Sequence, residues 1–258
     1  MITLLTPSKT MDFDALPPGY ITATTPPFIM QATRLRNRLS GLSSDQIKAL
    51  MQVSDSLAGS VVSMYRRSVH FQPAAWAYVG DVFKGFQAAS LDEGAAEYAQ
   101  RHLLIPSGLY GLVRPFDMIQ PYRLEMKAKL AIEEYKNLYE LWGSTLGDYV
   151  DRLPELQNEL LILSSQEYAR VITPYLRPDV RVVTPAFIDT KPDGREAQVA
   201  IYNKMMRGVM ARWIIDQRID ALRTITDFSA HGYSFSPDRS TVDRPVFYRH
   251  HMAPLVFT

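Results

Sequence analysis

The chain has 258 residues, of which 47% are hydrophobic and 21% charged, and its formal net charge is +1. This length can bury a substantial core, while the near-neutral charge means that any basic binding surface must arise by local sorting of charges. The absence of cysteine excludes disulfides, zinc–thiolate sites and iron–sulfur clusters.

The start of the sequence and its apolar runs bear on location. The opening segment MITLLTPSKT has no basic stretch ahead of its short apolar run, so it does not resemble a signal peptide. No stretch approaches the roughly 18 apolar residues of a membrane-spanning helix. We therefore expect a soluble, cytoplasmic and monomeric protein that makes no membrane contact.

Strands and helices are interleaved along the chain, as apolar periodicity, capping residues and turn residues indicate. The predicted strands are 2–5, 75–79, 160–163, 181–188, 195–201, 223–228 and 245–249. The predicted helices are 29–39, 44–52, 54–67, 90–102, 127–150 and 202–218, with a capping box of Ser90 and Glu93 at 90–102. Because no linker interrupts this order, we predict one mixed α/β (α+β) domain over 1–258.

The loop TPSKT after the first strand is a candidate phosphate site. Ser8, Lys9 and Thr10 offer hydroxyl groups and an ammonium group at the carboxyl end of a strand. The glycines of a P-loop are absent, so the backbone cannot wrap a phosphate in that way. The alternative is an ordinary exposed polar loop with a surface lysine.

Two further places carry candidate polar chemistry. Asp81 follows an apolar strand and suits a base, a ligand acceptor or a partner for a cation, although a turn aspartate often caps its own backbone. On the predicted helix 202–218, Lys204, Arg207 and Arg218 fall on one face. That face is either solvated or a stripe that contacts phosphate.

The stretch 107–126, SGLYGLVRPFDMIQPYRLEM, is too irregular for a helix and too rich in special residues for an ordinary loop. Its glycines allow a tight turn whose backbone N–H groups can face a phosphate. Arg114 and Arg123 can bind phosphate or carboxylate, and Glu125 can hold one of them. The alternative is a proline-stiffened loop with internal ion pairs.

The histidines are scattered without metal-ligand spacing, so we predict no metal site. A single axial histidine or tyrosine leaves no spacing signature, and the sequence therefore leaves haem open as a cofactor.

Several motifs together carry a family resemblance. The stretch 107–126, the TPSKT loop, the segment SDSLA at 54–58 and the motif GDV at 80–82 closely resemble the YaaA family of peroxide stress proteins. The resemblance extends along essentially the whole chain. It implies a compact α/β domain with a positively lined cleft and a helix-hairpin-helix from about His102 to Met118. It also implies binding to double-stranded and branched DNA and protection against hydrogen peroxide by limiting free iron.

The chain departs from the family pattern at four positions, where a cation or polar group is replaced: Val79, Phe83, Ile162 and Met205. Val79 stands where the family has a lysine, so we expect Asp81 to lack that cationic neighbour. These losses are expected to weaken DNA binding or to redirect the cleft to another ligand.

Two hypotheses follow. The first is a DNA-binding stress protein without catalysis, whose binding residues are Lys9, Thr10, Ser107, Gly108, Gly111, Arg114, Arg123, Glu125, Lys204 and Arg207. The second is an enzyme, biosynthetic or haem-dependent, on a nucleotide-like or other small polar substrate. Its candidate catalytic residues are Ser8, Lys9, Asp81, Tyr110 and Lys204, with Val79, Phe83 and Ile162 as an apolar wall. Both hypotheses require Ser8, Lys9, Asp81, Arg123 and Lys204 to converge on one cleft.

Overall fold

A computed structural model of the chain describes residues 1–14, 16–67, 70–191 and 193–250. The strands are β1 (Ile2–Leu5), β2 (Gln72–Pro73), β3 (Leu103–Ser107), β4 (Gly111–Val113), β5 (Met118–Ile119), β6 (Glu159–Leu163), β7 (Arg181–Val183), β8 (Ala186–Thr190), β9 (Glu196–Ala197), β10 (Ser229–Ala230), β11 (Tyr233–Phe235) and β12 (Val246–Arg249).

The helices are interleaved with these strands along the chain, in runs of one to three. They are α1 (Ile29–Ser40), α2 (Ser44–Met51), α3 (Asp55–Arg66), α4 (Ala74–Ala77), α5 (Asp81–Phe86), α6 (Glu93–His102), α7 (Leu138–Trp142), α8 (Thr145–Asp151), α9 (Gln166–Ala169) and α10 (Ala200–Asp216). The predicted mixed α/β class is therefore confirmed. Within the described ranges, no helix is long and apolar enough to cross a membrane.

A five-stranded sheet of order β4-β3-β1-β6-β7 lies at the centre of the fold. Strands β3, β1, β6 and β7 run parallel, and β4 turns back antiparallel to β3. The sequences of β1 and β6, ITLL and ELLIL, are almost continuously apolar because a central parallel strand is covered on both faces. A second sheet has the order β10-β11-β12-β8-β9.

Helices α5 and α10 cross with their backbones in contact. A Cβ atom on Gly208 would lie 1.8 Å from the carbonyl oxygen of Val82, and one on Gly85 would lie 2.2 Å from that of Met205. Only glycine allows this approach at either position, because the atom met is backbone and cannot move aside easily. The crossing brings the start of α5 beside the first half of α10.

The predicted helix-hairpin-helix over 102–118 is wrong. Helix α6 runs directly into β3, whose Leu103 pairs with Thr3 of the central sheet. A tight turn then leads to β4, with Ser107 opposite Gly111, so the hairpin is made of strands. The apolar LLIPS run is fully buried in the sheet, and a helix could not supply that pairing.

Several predicted boundaries also differ. Residues 75–79 overlap the helical turn α4 and do not form a strand. The run 181–188 covers β7 and the start of β8, which belong to different sheets. The predicted strand 223–228 is a 3-10 helix at Leu222–Asp227. Helix α10 begins inside the predicted strand 195–201. Asp92, whose side chain accepts from the backbone N–H of Ala95, caps α6 in place of Ser90.

The predicted helix 127–150 is replaced by α7 and α8 after a non-helical segment. From 122 to 132 burial alternates strictly, because every second residue faces the core. The buried residues are Tyr122, Leu124, Met126, Ala128, Leu130 and Ile132. The sequence YRLEMKAKLAI therefore has a period of two, which the helical interpretation overlooked.

Candidate functional site

A cavity of about 440 Å³, here called the main cavity, opens at the carboxyl ends of β1 and β6. These adjacent parallel strands end at the same edge of the sheet, so the loops that follow them meet. The loop after β1 supplies Ser8, Lys9 and Thr10, and Ser165 follows β6. The other polar residues of the lining are Thr6, Asp81, Tyr122, Arg123, Glu125, Glu167, Tyr168, Lys204 and Arg207.

The main cavity brings together residues that are far apart in the sequence. Ser8, Lys9, Asp81, Arg123 and Lys204 all line it, so the predicted convergence of these residues is confirmed. The α5–α10 crossing accounts for two of them, because it places Asp81 within 4.0 Å of the Lys204 Nζ atom.

The alternating segment 122–132 forms one side of the site. Since its even-numbered residues are buried, its odd-numbered residues Arg123, Glu125, Lys127 and Lys129 point away from the core. Arg123 and Glu125 line both the main cavity and a neighbouring groove of about 710 Å³. Lys9 also lines both, while Lys127 and Lys129 line this side groove alone.

Residues of the strand hairpin lie outside the main cavity. Ser107, Gly108, Tyr110 and Gly111 are buried. The Ser107 hydroxyl accepts hydrogen bonds from the backbone N–H groups of Leu109 and Tyr110, at 3.2 and 3.0 Å. The turn donors that the sequence offered to a phosphate are therefore used within the hairpin.

Arg114 also lies away from the main cavity. Its guanidinium donates to the carbonyl oxygens of Gln100 and Arg101 in the last turn of α6, both at 2.8 Å. A cation at that end of a helix complements the helix dipole. Arg114 therefore stabilises the junction between α6 and β3 through its Nη1 atom, and it does not line the main cavity.

The carboxylate of Glu125 in the main cavity is held by two lysines. Glu125 forms ion pairs with Lys9 and with Lys127, the latter at 3.1 Å. Burial acts to raise the pKa of Glu125, but the two ammonium groups outweigh it and lower that pKa overall.

Asp81 has two cationic neighbours, which corrects the expectation that it lacks one. Lys84 lies 3.9 Å from its Oδ1 atom, and Lys204 lies 4.0 Å from its Oδ2 atom. Both lysines are supplied by the helices that cross at this point, so the valine at position 79 does not leave Asp81 without a cation.

Two arginines in the main cavity have no acidic partner. Within the part of the chain that the structure describes, the guanidinium groups of Arg123 and Arg207 form no ion pair and no hydrogen bond. Both residues are half-buried, and burial lowers the pKa of Arg207. A guanidinium presents several donors in a planar fork, which suits a phosphate or carboxylate from outside the chain.

Phenol groups form the floor between the main cavity and the core. The Tyr122 hydroxyl accepts from Ser107 Oγ at 2.8 Å and lies 2.7 Å from the Tyr78 hydroxyl. Burial raises the pKa of Tyr122 to about 12 and that of Tyr168 well above its ordinary value. Both phenols are therefore neutral near pH 7 and can act as hydrogen-bonding groups, but not as anions.

The positions that depart from the family pattern do not line the main cavity. Val79 and Phe83 line a separate cavity of about 650 Å³, here called the apolar cavity. Ile162 is buried within β6, and Met205 is buried on α10. The predicted apolar wall of the main cavity is therefore wrong.

His102 takes a structural position beside the N-terminal residue Met1. His102 Nδ1 lies 3.0 Å from the Met1 carbonyl oxygen, and its ring stacks on Tyr98 with centroids 4.1 Å apart. Among the described residues, no group of three or more His, Cys, Asp or Glu side chains is arranged to hold a metal ion.

Sequence reasoning did not name five polar residues of the lining as site candidates: Thr6, Tyr122, Ser165, Glu167 and Tyr168. A signal was available for Ser165, because it follows an apolar strand as Ser8 does. Parallel pairing of those two strands would have placed both serines at one edge.

The fold and the main cavity define a mixed α/β protein with a lysine- and arginine-rich recess at the carboxyl edge of a parallel sheet. A family model described as "Peroxide stress protein YaaA" matches residues 1–239. The chain belongs to this family.

Relatives from several bacteria match over nearly their whole length. A UPF0246 protein of Shewanella halifaxensis is 37% identical over 257 residues, covering 96% of this chain and 99% of the relative. One of Laribacter hongkongensis is 36% identical over 259 residues, covering 97% and 100%. One of Burkholderia mallei is 39% identical over 261 residues, covering 96% and 98%.

Proposed function

We propose that the protein binds DNA through its phosphate backbone, with one phosphate seated between Arg123 and Arg207 in the main cavity. The observation that carries this proposal is the absence of an acidic partner for either guanidinium among the described residues. A half-buried cation without a partner loses hydration and gains nothing in return until an anion binds.

The side groove supports a chain-like ligand. It continues from the main cavity through Lys9 and Arg123, and it adds Lys127 and Lys129. Over the two recesses together, basic side chains outnumber carboxylates, although the whole chain is close to neutral. A ligand with successive phosphates, such as DNA, can use both recesses. Because bacterial DNA lies in the cytoplasm, this ligand goes with a cytoplasmic location of the protein.

The test is a salt series of duplex binding by fluorescence anisotropy, with two unrelated sequences. Arg123→Ala is expected to weaken both complexes alike and to reduce the slope of log affinity against log salt by about one unit. Arg181→Ala is the matched control, because Arg181 begins β7 at the opposite edge of the sheet. No duplex binding at low salt, or loss for one sequence alone, would contradict the proposal.

A second candidate is an enzyme that acts on a small nucleotide-like substrate in the main cavity. The supporting observation is that three carboxylates, those of Asp81, Glu125 and Glu167, share this recess with Ser8 and with the cations. Backbone phosphate binding does not require such a set, whereas proton transfer does. A thermal-shift series with nucleotides, repeated on Asp81→Asn, tests this candidate, and the absence of any shift contradicts it.

The description of the family favours a role under peroxide stress. We propose that phosphate binding in the main cavity is necessary for that role. A strain that lacks the protein should regain survival in hydrogen peroxide when it carries the wild type or Arg181→Ala. It should not regain survival with Arg123→Ala, provided that the variants accumulate equally.

A further inference from the structure

The main cavity and the side groove meet at three side chains. Lys9, Arg123 and Glu125 line both recesses. A ligand that extends from one recess into the other therefore runs past these groups. Two of them are cations that attract a phosphate, whereas the third is a carboxylate that repels one. The Glu125 carboxylate thus stands on the path that a chain of phosphates would take.

Glu125 already lies between two lysines of this path. Its carboxylate forms an ion pair with Lys9, and another with Lys127 at 3.1 Å. Burial acts to raise the pKa of Glu125, but the two ammonium groups lower that pKa overall, so the carboxylate is charged near pH 7. A negative charge from within the chain therefore fills the place that a phosphate would take between Lys9 and Lys127.

These two ion pairs are of a kind that a ligand can exchange. The Glu125 side chain is 18% exposed, while those of Lys9 and Lys127 are 57% and 64% exposed. An ion pair whose lysine is exposed contributes little to stability, so the ammonium group can change its partner at small cost. A phosphate that is joined to one already bound nearby arrives at a high effective concentration, which allows it to compete with the tethered carboxylate.

We propose that Lys9 and Lys127 form a second phosphate site, which the Glu125 carboxylate occupies in the free protein and leaves when DNA binds. One phosphate lies between Arg123 and Arg207, and a later phosphate of the same strand replaces the carboxylate at the two lysines. Glu125 therefore opposes binding and sets its strength. This inference rests on the proposed DNA-binding function and adds to it an internal competitor for the ligand.

The experiment is a salt series of duplex binding by fluorescence anisotropy. Glu125→Gln is expected to bind the duplex about fivefold more tightly than the wild type, because the ligand no longer displaces a carboxylate. Its slope of log affinity against log salt should be steeper by about one unit, since the uncovered lysines hold a counterion that the phosphate releases. Adding Lys9→Met to Glu125→Gln should remove most of this gain. Glu133→Gln is the control, because it removes one charge and an ion pair with Arg34 outside both recesses.

A second variant keeps the inference testable if Glu125→Gln does not fold. Glu125→Asp keeps the charge but draws the carboxylate back by one methylene group, so it should tighten duplex binding about twofold at unchanged net charge. Unchanged or weaker binding would show that the carboxylate positions the lysines for the ligand. That result overturns the inference and leaves the proposed function standing. Equal gains in Glu125→Gln and Glu133→Gln would also overturn it, and no duplex binding by the wild type overturns both.

Discussion

At the scale of single residues, the site separates cations that are neutralised within the chain from cations that are not. Lys9 and Lys127 are paired with Glu125, and Lys204 lies near Asp81. Arg123 and Arg207 have no such partner among the described residues. The lysine–carboxylate pairs hold the walls in place, and the two arginines retain their capacity for an external anion.

Arg207 should show a conflict between stability and binding. Replacing it with methionine removes a half-buried charge without breaking an ion pair, so Arg207→Met is expected to raise the free energy of unfolding by about 1 kcal/mol. DNA affinity should fall at the same time. Arg212→Met is the control on the same helix, because the Arg212 guanidinium binds Asp216 and the Gln87 carbonyl oxygen. Loss of these contacts should lower the free energy of unfolding. Urea denaturation measures the free energy of unfolding of both variants. A lower value for Arg207→Met than for the wild type would contradict this argument.

Glu125 predicts how stability depends on pH. Its pKa in the folded protein lies below the ordinary value of 4.5, so the folded state favours the carboxylate more than the unfolded chain does. The resulting stabilisation is complete above about pH 4.5 and is lost as the pH falls through the folded pKa.

The test compares the free energy of unfolding of the wild type with that of Glu125→Gln, whose side chain cannot titrate. The wild type should be more stable than this variant by about 1 kcal/mol near neutral pH, and the difference should shrink as the pH falls below about 4.5. Denaturant unfolding at several pH values measures it. A difference that grows as the pH falls would show that the lysines do not stabilise the carboxylate.

At the scale of elements, the α5–α10 crossing positions half of the main cavity. Gly208→Ala puts a methyl group where the Val82 carbonyl oxygen lies, 1.8 Å away, so the helices must separate. We expect a loss of about 3 kcal/mol in the free energy of unfolding and weaker ligand binding, because Asp81 and Lys204 move apart. Gly59→Ala in α3 is the control, as no atom lies within 4 Å, and it should stabilise by about 0.5–1 kcal/mol. Equal stability of the two variants would contradict close packing at the crossing.

Elements with strong local signals were predictable from the sequence. The apolar runs of β1 and β6, the capped helix α2 and the long helix α10 were found near their observed bounds. The strand pairing of β3 depends on Thr3, about a hundred residues earlier, and no local pattern reports such a contact. The prediction for the segment 122–132 was wrong for another reason. The alternation of apolar and polar residues was present in the sequence, but its helix-forming residues were given more weight.

The site was predictable where its residues directly follow a buried strand or lie on one face of a helix. Ser8 and Lys9 follow β1, and Lys204 and Arg207 lie one turn apart on α10. Arg114 was misplaced because an arginine in a polar loop carries no sign of whether it binds a ligand or a helix end. The second contact of Asp81, with Lys84, depends on the local helix α5, which the sequence interpretation had not placed there.

At the scale of the whole molecule, a chain of net charge +1 concentrates basic side chains over the main cavity and the side groove. The two candidate functions use this surface differently. A DNA backbone must extend along the side groove, whereas a small nucleotide can fit the main cavity alone. Lys129 distinguishes them, because it is exposed, lines the side groove and has no ion-pair partner within the described ranges.

Lys129→Ala therefore tests whether both recesses act on one ligand. If DNA is the ligand, loss of this contact should weaken duplex binding and reduce the salt slope by about one unit, since one fewer counterion is released. If a small nucleotide is the ligand, its thermal shift should be unchanged in Lys129→Ala and lost in Arg207→Met. Lys191→Ala provides the control, because Lys191 follows β8 of the second sheet and should alter neither measurement. A salt slope unchanged by Lys129→Ala but reduced by Arg123→Ala would confine the DNA contact to the main cavity and show that the side groove plays no part in it.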